Sequence, residues 1–302
     1  MSEDPELSND VSTAGAPGAA GNVADCPSAQ ALLEAARSRG VARLDAEVLL
    51  AALTRQGRAQ LIAFGERPVD PLTAAMFEAG VARLIAGEPL AYITGVREFW
   101  SLPLVVSPDV LIPRPETELL VERCLALLPG TSQQVADLGT GSGAIALALA
   151  RERPAWRIVA TDASTAALQI AAINLKRLQL GNVELRSGRW CQALLDTRLD
   201  ALLSNPPYIA AGDPALAALG HEPQGALVAR DGGFADLLEI AACARAHLKP
   251  GGALLLEHGS TQAPRLREAL VALGYDRVAS LRDLAGHERI TEALAPAAPY
   301  ST

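Results

Sequence analysis

The stretch that decides the fold is VADLGTGSGAIALALA, residues 135–150. It begins as the end of a buried strand and continues as an alanine- and leucine-rich helix. Between the two stand Gly139, Gly141 and Gly143. Glycine lets the backbone approach a ligand closely, and the helix that follows presents its free N–H groups. The pattern predicts a strand–loop–helix unit whose loop lies against a ligand.

Strands and helices alternate from Gln134 onward, which predicts a parallel, doubly wound α/β sheet of the Rossmann-like class. The predicted strands are QVADLG (134–139), RIVATD (157–162), VELRSG (183–188), DALLSN (200–205), GALLLEHG (252–259) and a final pair, RVASL (277–281) with RITEALA (289–295). In such sheets ligands bind beyond the carboxyl ends of the strands. We therefore expect the site at that edge.

The glycine loop alone fits either a nicotinamide cofactor or S-adenosylmethionine, because it also satisfies the dinucleotide pattern GxGxxG/A. Asp162 ends the second strand, where its carboxylate would accept hydrogen bonds from a ribose diol; the alternative is a simple cap on the next helix. Asp137 lies two residues before Gly139, where an acid repels a pyrophosphate but suits a cationic sulfonium ligand. This acid favours S-adenosylmethionine.

The segment LLSNPPYI, residues 202–209, ends another strand with two successive prolines. A stiff turn is the simple interpretation, since proline has no N–H to continue a strand ladder. A methyl transfer to an amide nitrogen gives the segment a second use. The Asn205 carboxamide and the Pro206 carbonyl would accept hydrogen bonds from a substrate NH2, while Tyr208 packs over a planar group. Catalysis would then rest on positioning and fixed dipoles.

Residues 26–87 have the spacing of four or five short helices, and we interpret them as a helical substrate-docking domain. Alternating β-branched and aromatic residues over 88–113 predict a β-hairpin linker. Residues 114–296 form the predicted methyltransferase domain, opened by a helix at Pro115. Residues 1–25 and 297–302 are predicted tails, the first of them disordered.

Composition excludes several classes of protein. The formal charge of −8 and pI near 5.1 argue against strong nucleic-acid binding. No apolar run approaches the ~18 residues of a membrane span. Cys26, Cys124, Cys191 and Cys243 form neither a CxxC pair nor a disulfide framework, so we predict no metal site and a reducing cytoplasm. The oligomeric state is unknown, with a monomer favoured.

Further segments match a known family. They are GEPLAYITGVREFW (87–100), LIPRPETELLVE (111–122), HEPQGAL (221–227), LLLEHGSTQ (254–262) and RDLAGHERI (282–290). Together with the glycine loop and NPPY they resemble the HemK/PrmC family, over roughly residues 28 to 295. That family consists of S-adenosylmethionine-dependent enzymes that methylate the glutamine side-chain nitrogen in the GGQ motif of class-one peptide chain release factors.

The resemblance implies a role for each matching residue. The methionine part of the cofactor lies on Gly139, Thr140, Gly141, Ser142 and Gly143, and the ribose lies on Asp162. Trp190 matches a variable position near the adenine. Asn205 meets cofactor and substrate, and Pro206, Pro207 and Tyr208 hold the glutamine amide. Arg114 and Glu116 resemble residues that organise the lid of the cofactor site, or they form an ordinary domain-linking salt bridge; the contacts of Glu222 and Glu257 stay equally open.

Two other substrates remain open from the residues alone. A DNA or RNA adenine methyltransferase shares NPPY but normally carries a basic recognition region, which residues 28–86 lack. Methylation of a ribosomal-protein glutamine keeps the chemistry and changes the partner. A nucleotide-binding regulator without enzymatic activity would leave NPPY without a purpose.

Overall fold

The structure is a computed structural model that describes residues 26–297. The predicted tail 1–25 and residues 298–302 lie outside the described residues. The chain divides into two compact units, one ending at Ala86 and the other beginning at Gly87. Each unit is described by itself below.

The described residues of the first unit form four α-helices: α1 (Ala29–Ser38), α2 (Arg43–Thr54), α3 (Arg58–Ala63) and α4 (Pro71–Ile85). Two of them begin with capping residues that the sequence supplies. The Ser28 hydroxyl accepts the N–H of Ala31, and the Asp70 carboxylate accepts the N–H of Thr73 just before the proline that starts α4. The helices bury an apolar core that consists of Leu32, Leu49, Leu50, Leu61, Phe77 and Val81.

The second unit contains eleven strands and eight helical segments among its described residues. The strands are β1 (Val96–Phe99), β2 (Leu102–Val105), β3 (Gln134–Leu138), β4 (Arg157–Asp162), β5 (Val183–Ser187), β6 (Leu199–Ser204), β7 (Ile209–Ala210), β8 (Val228–Ala229), β9 (Leu248–Glu257), β10 (Asp276–Arg282) and β11 (Glu288–Leu294). The helices are α5 (Leu90–Thr94), α6 (Glu118–Leu127), α7 (Ala144–Glu152), α8 (Thr165–Leu178), α9 (Gln224–Leu227), α10 (Arg230–Gly233), α11 (Ala235–His247) and α12 (Ala263–Ala272). Short 3-10 turns cover Pro115–Thr117, Trp190–Ala193 and Pro214–Leu219.

Seven strands form the central sheet in the order β10-β11-β9-β6-β3-β4-β5. The predicted Rossmann-like class is confirmed, but the prediction of a parallel sheet is wrong in one respect. Strand β11 runs antiparallel to both β9 and β10. The short loop between β10 and β11 forces a hairpin, and that hairpin enters the sheet with β11 next to β9.

Helices cover both faces of this sheet, and the side chains of its strands alternate between them. In β9, Ala253 and Leu255 belong to the core on the α6 and α7 face, while Leu254 and Leu256 belong to the core under α11 and α12. All four are buried. Because both faces are covered, the strands are apolar along their length, and their carboxyl ends stay open for a site.

The hairpin is shorter than the predicted stretch 88–113. Strands β1 and β2 pair over Val96–Val105, whereas Leu90–Thr94 form a helix. Gly95 ends that helix in the left-handed conformation, with φ of 72°. Buried Tyr92 donates its hydroxyl to the carbonyl of Val110, at 2.7 Å, so this turn is held by tertiary contact rather than by its β-branched residues.

The spacing of the cysteines predicted no disulfide, and in this the structure differs. Cys191 and Cys243 form a disulfide, while Cys26 and Cys124 are free. Packing of the 190–193 turn against α11 brings together two residues that are 52 positions apart. No helix in the described part of the chain combines the length and apolarity needed to cross a membrane.

Candidate active site

A cavity of about 620 Å³ opens beyond the carboxyl ends of β3, β4 and β6. This is the edge at which the sequence placed the ligand. Six of the predicted site residues lie in its wall: Gly139, Gly141, Asp162, Trp190, Asn205 and Pro207. The glycine loop and NPPY are therefore two sides of one site, although 60 residues or more separate them in sequence.

The glycine loop turns sharply between β3 and α7, with left-handed backbone at Gly139 and Gly141. A Cβ on Gly139 would lie 3.2 Å from the Trp190 ring, so glycine permits that ring to pack against the loop. A Cβ on Gly141 would meet nothing within 4 Å and would project into free space. The absence of side chains here leaves room for a ligand against the backbone.

Asp162 ends β4 and lines the cavity. Its carboxylate accepts the N–H of Gly141 at 2.9 Å and the N–H of Ser164 at 2.8 Å. The cap of α8 is a different side chain, since the Ser164 hydroxyl accepts the N–H of Ala167. Asp162 thus ties the glycine loop to the next strand end, and each carboxylate oxygen keeps a lone pair for a ligand hydroxyl. Its contact with ribose stays a prediction.

Asp137 lies behind the glycine loop and outside the cavity wall. The sequence had predicted a position against the ligand instead. The alternation of β3 turns its side chain toward α7, together with that of Val135. The carboxylate is fully buried and accepts the Thr140 hydroxyl at 2.6 Å and the N–H of Ala146 at 3.3 Å. Its Oδ1 atom has no hydrogen-bond partner. Burial raises the pKa of Asp137 to about 7.

This buried acid predicts a pH-dependent stability. Because the folded-state pKa of Asp137 exceeds that of an exposed aspartate, the folded state keeps a proton that the unfolded state has lost. The free energy of unfolding should fall by about 2 to 3 kcal/mol from this group between pH 5 and pH 8. Urea denaturation of Asp137→Asn should show a correspondingly shallower pH slope. Identical slopes in the variant and the parent protein would contradict the assignment.

The NPPY segment begins where β6 leaves the sheet. The Ser204 hydroxyl donates to the carbonyl of Leu138 at 2.7 Å, which joins the ends of β6 and β3. Asn205 follows at the cavity wall and donates its Nδ2 to the Thr117 hydroxyl oxygen at 3.2 Å. Pro207 lines the cavity, whereas Pro206 and Tyr208 lie outside its wall. Gln262 Nε2 donates to the Tyr208 carbonyl and holds the end of the segment.

Glu257 ends β9 and is 1% exposed. Burial raises its pKa to about 7, and hydrogen bonding from Thr117 and Tyr208 opposes that rise. Its Oε2 atom has no hydrogen-bond partner. Burial also raises the pKa of the Tyr208 hydroxyl, and the negative charge of Glu257 adds to that rise. A buried acid therefore lies near Tyr208 of NPPY and near Thr117, the residue to which Asn205 is hydrogen-bonded.

Comparison with known proteins places this site in a family. A profile of the methyltransferase small domain matches residues 98–222, and one of the PrmC N-terminal domain matches residues 28–95. The release factor glutamine methyltransferase of Salmonella typhimurium is 47% identical over 251 residues, covering 82% of this chain and 91% of that protein. That of Coxiella burnetii is 49% identical over 249 residues, with 82% and 90% covered. The chain belongs to the release factor glutamine methyltransferase family.

A further member of the family, from Xylella fastidiosa, is 46% identical and covers 89% of this chain and 99% of its own length. Solved structures share the fold. A Pyrococcus furiosus methyltransferase has a TM-score of 0.51 at 19% identity, covering 71% of this chain and 97% of that one. A T. Thermophilus 16S rRNA methyltransferase in complex with AdoMet and guanosine has a TM-score of 0.50 at 21% identity, covering 66% and 49%.

The family segments IPRPETE and HEP meet at one wall of the site. Arg114 pairs with buried Glu222, whose other oxygen accepts the N–H of Ile112 at 3.1 Å. This pair fixes the segment 109–111, which lines the cavity. Both residues lie in the second unit. Glu116 is exposed.

Sequence reasoning missed residues that line this cavity or contact its wall. Arg189 lines the cavity and pairs with Asp236 at 2.7 Å, across 47 positions of sequence. Thr117 was missed as well, although it stands within the quoted segment IPRPETE. The only available signals were that Arg189 stands next to Trp190 in the sequence and that Thr117 stands next to Glu116. Neither contact follows from local pattern, because both depend on the tertiary packing of distant loops.

Proposed function

We propose that the chain methylates the side-chain amide nitrogen, N5, of the glutamine in the GGQ motif of class-one peptide chain release factors. It uses S-adenosyl-L-methionine and releases S-adenosyl-L-homocysteine. The observation that carries the proposal is the 46–49% identity to release factor glutamine methyltransferases over at least nine tenths of their length. The alternative, a DNA or RNA adenine methyltransferase, is not favoured by these relatives.

The residues present fit the cofactor. The cavity of about 620 Å³ has the size of an ordinary small-molecule site, and the space in front of Gly141 admits a ligand against the backbone. Asp162 would hold the ribose hydroxyls, Trp190 would lie by the adenine, and Gly139 to Gly143 by the methionine part. When bound, S-adenosylmethionine supplies an electrophilic methyl group on its sulfonium. Asp137 would act from behind the loop, through its hydrogen bond with Thr140.

The chain's own residues would position the glutamine amide nitrogen, which is a weak nucleophile. An amide nitrogen is a poor nucleophile because its lone pair is delocalised. The Asn205 Oδ1 and the Pro206 carbonyl would accept the two N–H bonds of the substrate NH2, which holds the nitrogen in line and raises its electron density. Pro207 stiffens the segment, and Tyr208 would pack over the amide plane. As the nitrogen gains the methyl group it releases one of its two protons to solvent water, because neither the Asn205 amide nor the Pro206 carbonyl would keep it.

A competition assay tests this function against the alternatives. The protein is incubated with labelled S-adenosylmethionine and equal amounts of purified release factor, ribosomal protein, DNA and RNA. We expect label on the release factor, and none on a release factor whose GGQ glutamine is replaced. Label on DNA or RNA would support the alternative function, and label on the ribosomal protein would change the partner.

We further propose that the first unit docks the release factor, because a GGQ loop alone offers little binding area. In support, this unit exposes large apolar side chains, among them Leu72 at 72% and Met76 at 51%. A Leu72→Asp, Met76→Asp variant should raise KM for the full release factor about tenfold and leave KM for a GGQ peptide unchanged. A matched Leu284→Asp variant, exposed in the second unit, should change neither value. Equal KM values for the release factor in all three proteins would exclude this surface.

Three assignments remain, concerning location, nucleic-acid binding and oligomeric state. A release factor acts in translation, so we place the chain in the cytoplasm, and the net charge of −8 supports the absence of stable nucleic-acid binding. A monomer is favoured. Cell fractionation tests the location, and recovery of the protein with membranes would overturn it. A filter-binding assay tests nucleic-acid binding, and retention of RNA would overturn its absence. Light scattering tests the monomer, and a doubled mass would overturn it.

A further inference from the structure

Two buried residues beneath NPPY have no part in the function proposed above. Thr117 is 5% exposed and Glu257 is 1% exposed. Thr117 accepts a hydrogen bond from Asn205 Nδ2, and its hydroxyl also interacts with the Glu257 carboxylate. Tyr208 interacts with the same carboxylate. One acid from the end of β9 thus connects to both polar side chains of the segment.

The contacts also have a direction. A threonine hydroxyl has one proton to donate, and its oxygen can accept hydrogen bonds from other donors. Here the Thr117 oxygen accepts from Asn205 Nδ2, so its one proton is left for the nearby Glu257 carboxyl group. Only the NH2 end of the Asn205 carboxamide can donate to the Thr117 oxygen. The opposite end, Oδ1, must then point away from Thr117.

We infer that Thr117 and Glu257 are positioning residues that fix which end of the Asn205 carboxamide meets the substrate. This inference rests on the proposed function, in which Asn205 Oδ1 accepts from the glutamine NH2. We call the contacts from Glu257 through Thr117 to Asn205 the relay. Without the relay, the Asn205 carboxamide can turn over and present its own NH2 to the substrate NH2. Two donors would then face each other, and the nitrogen would lose its alignment.

The test is a set of variants in the full chain, assayed with purified release factor and S-adenosylmethionine. Thr117→Val keeps the side-chain shape and should lower kcat about tenfold, with cofactor affinity by calorimetry changed less than about twofold. Thr117→Ser should restore most of the lost activity. In an Asn205→Ala background, Thr117→Val should have almost no further effect, because it acts through Asn205. Thr291→Val, which removes another buried hydroxyl that hydrogen-bonds within the sheet, is the matched control and should leave kcat unchanged.

A kcat of Thr117→Val equal to the parent value, or an equally large loss in the Asn205→Ala background, would overturn the relay. If Thr117→Val does not fold, Glu257→Gln gives the same test, because a glutamine NH2 would donate to Thr117 and reverse the relay; we expect the same loss of kcat. The Asn205 side-chain NH2 resonances provide a readout that needs no substrate, and they should shift in Thr117→Val. Unshifted resonances would refute the relay, whereas an inactive parent protein with shifted resonances would refute only the proposed function.

Discussion

Replacing Asn205 by Ala is expected to reduce kcat by roughly 30- to 1000-fold, which corresponds to about 2 to 4 kcal/mol of transition-state stabilisation. The variant loses the oxygen that would accept from the substrate NH2. It also loses the Nδ2 bond to Thr117, at 3.2 Å, which holds the side chain in place. Steady-state kinetics with purified release factor give the value.

Folding should survive this substitution, because Asn205 is only half-buried and lies beyond the last residue of β6. Asn182→Ala is the matched control. Its carboxamide donates to three backbone carbonyls at the opposite edge of the sheet, so the control should lower stability and leave kcat near the parent value. Parent-level turnover by Asn205→Ala would remove Asn205 from the mechanism.

The second large effect concerns the cofactor. Asp162→Ala should weaken S-adenosylmethionine binding by roughly 30- to 150-fold, or about 2 to 3 kcal/mol, as charged hydrogen bonds to the ribose are lost. Part of the loss comes from the glycine loop, because Asp162 also accepts the N–H of Gly141. Calorimetry of cofactor binding measures the total.

A cofactor analogue without the ribose hydroxyls separates the two contributions. The analogue should bind more weakly than S-adenosylmethionine to the parent protein, and Asp162→Ala should not distinguish the two ligands. Asp276→Ala, an exposed acid at the start of β10, is the control and should bind both as the parent does. An unchanged affinity of Asp162→Ala for S-adenosylmethionine would exclude the ribose contact.

Much of the fold followed from local pattern. The unit β3–loop–α7 is encoded within 19 residues, and the strands that follow are apolar because helices cover both faces of the sheet. Direction and order were harder to predict. A short loop between β10 and β11 implies an antiparallel pair, but nothing local says that β11 lies next to β9. Likewise, Leu90–Thr94 resembled a strand, and only its tertiary contacts make it a helix.

For the site, too, the residues placed by local pattern were predictable, and those placed by tertiary packing were not. Gly139, Asp162 and Asn205 were predictable, because the carboxyl ends of parallel strands converge on one edge. Asp137 shows the limit of that argument, since strand alternation turns it behind the loop and away from the cavity. The bond between Asn205 and Thr117 spans 88 positions and depends on how α6 packs, which no local pattern encodes.

The most direct test of the central claim is mass spectrometry of the GGQ peptide, after incubation of purified release factor with the protein and S-adenosylmethionine. The parent protein should add the mass of one methyl group to the glutamine of that peptide, and Asn205→Ala should add little in the same time. An unmodified GGQ glutamine after full turnover, with the methyl group on another residue or another macromolecule, would contradict the proposed function.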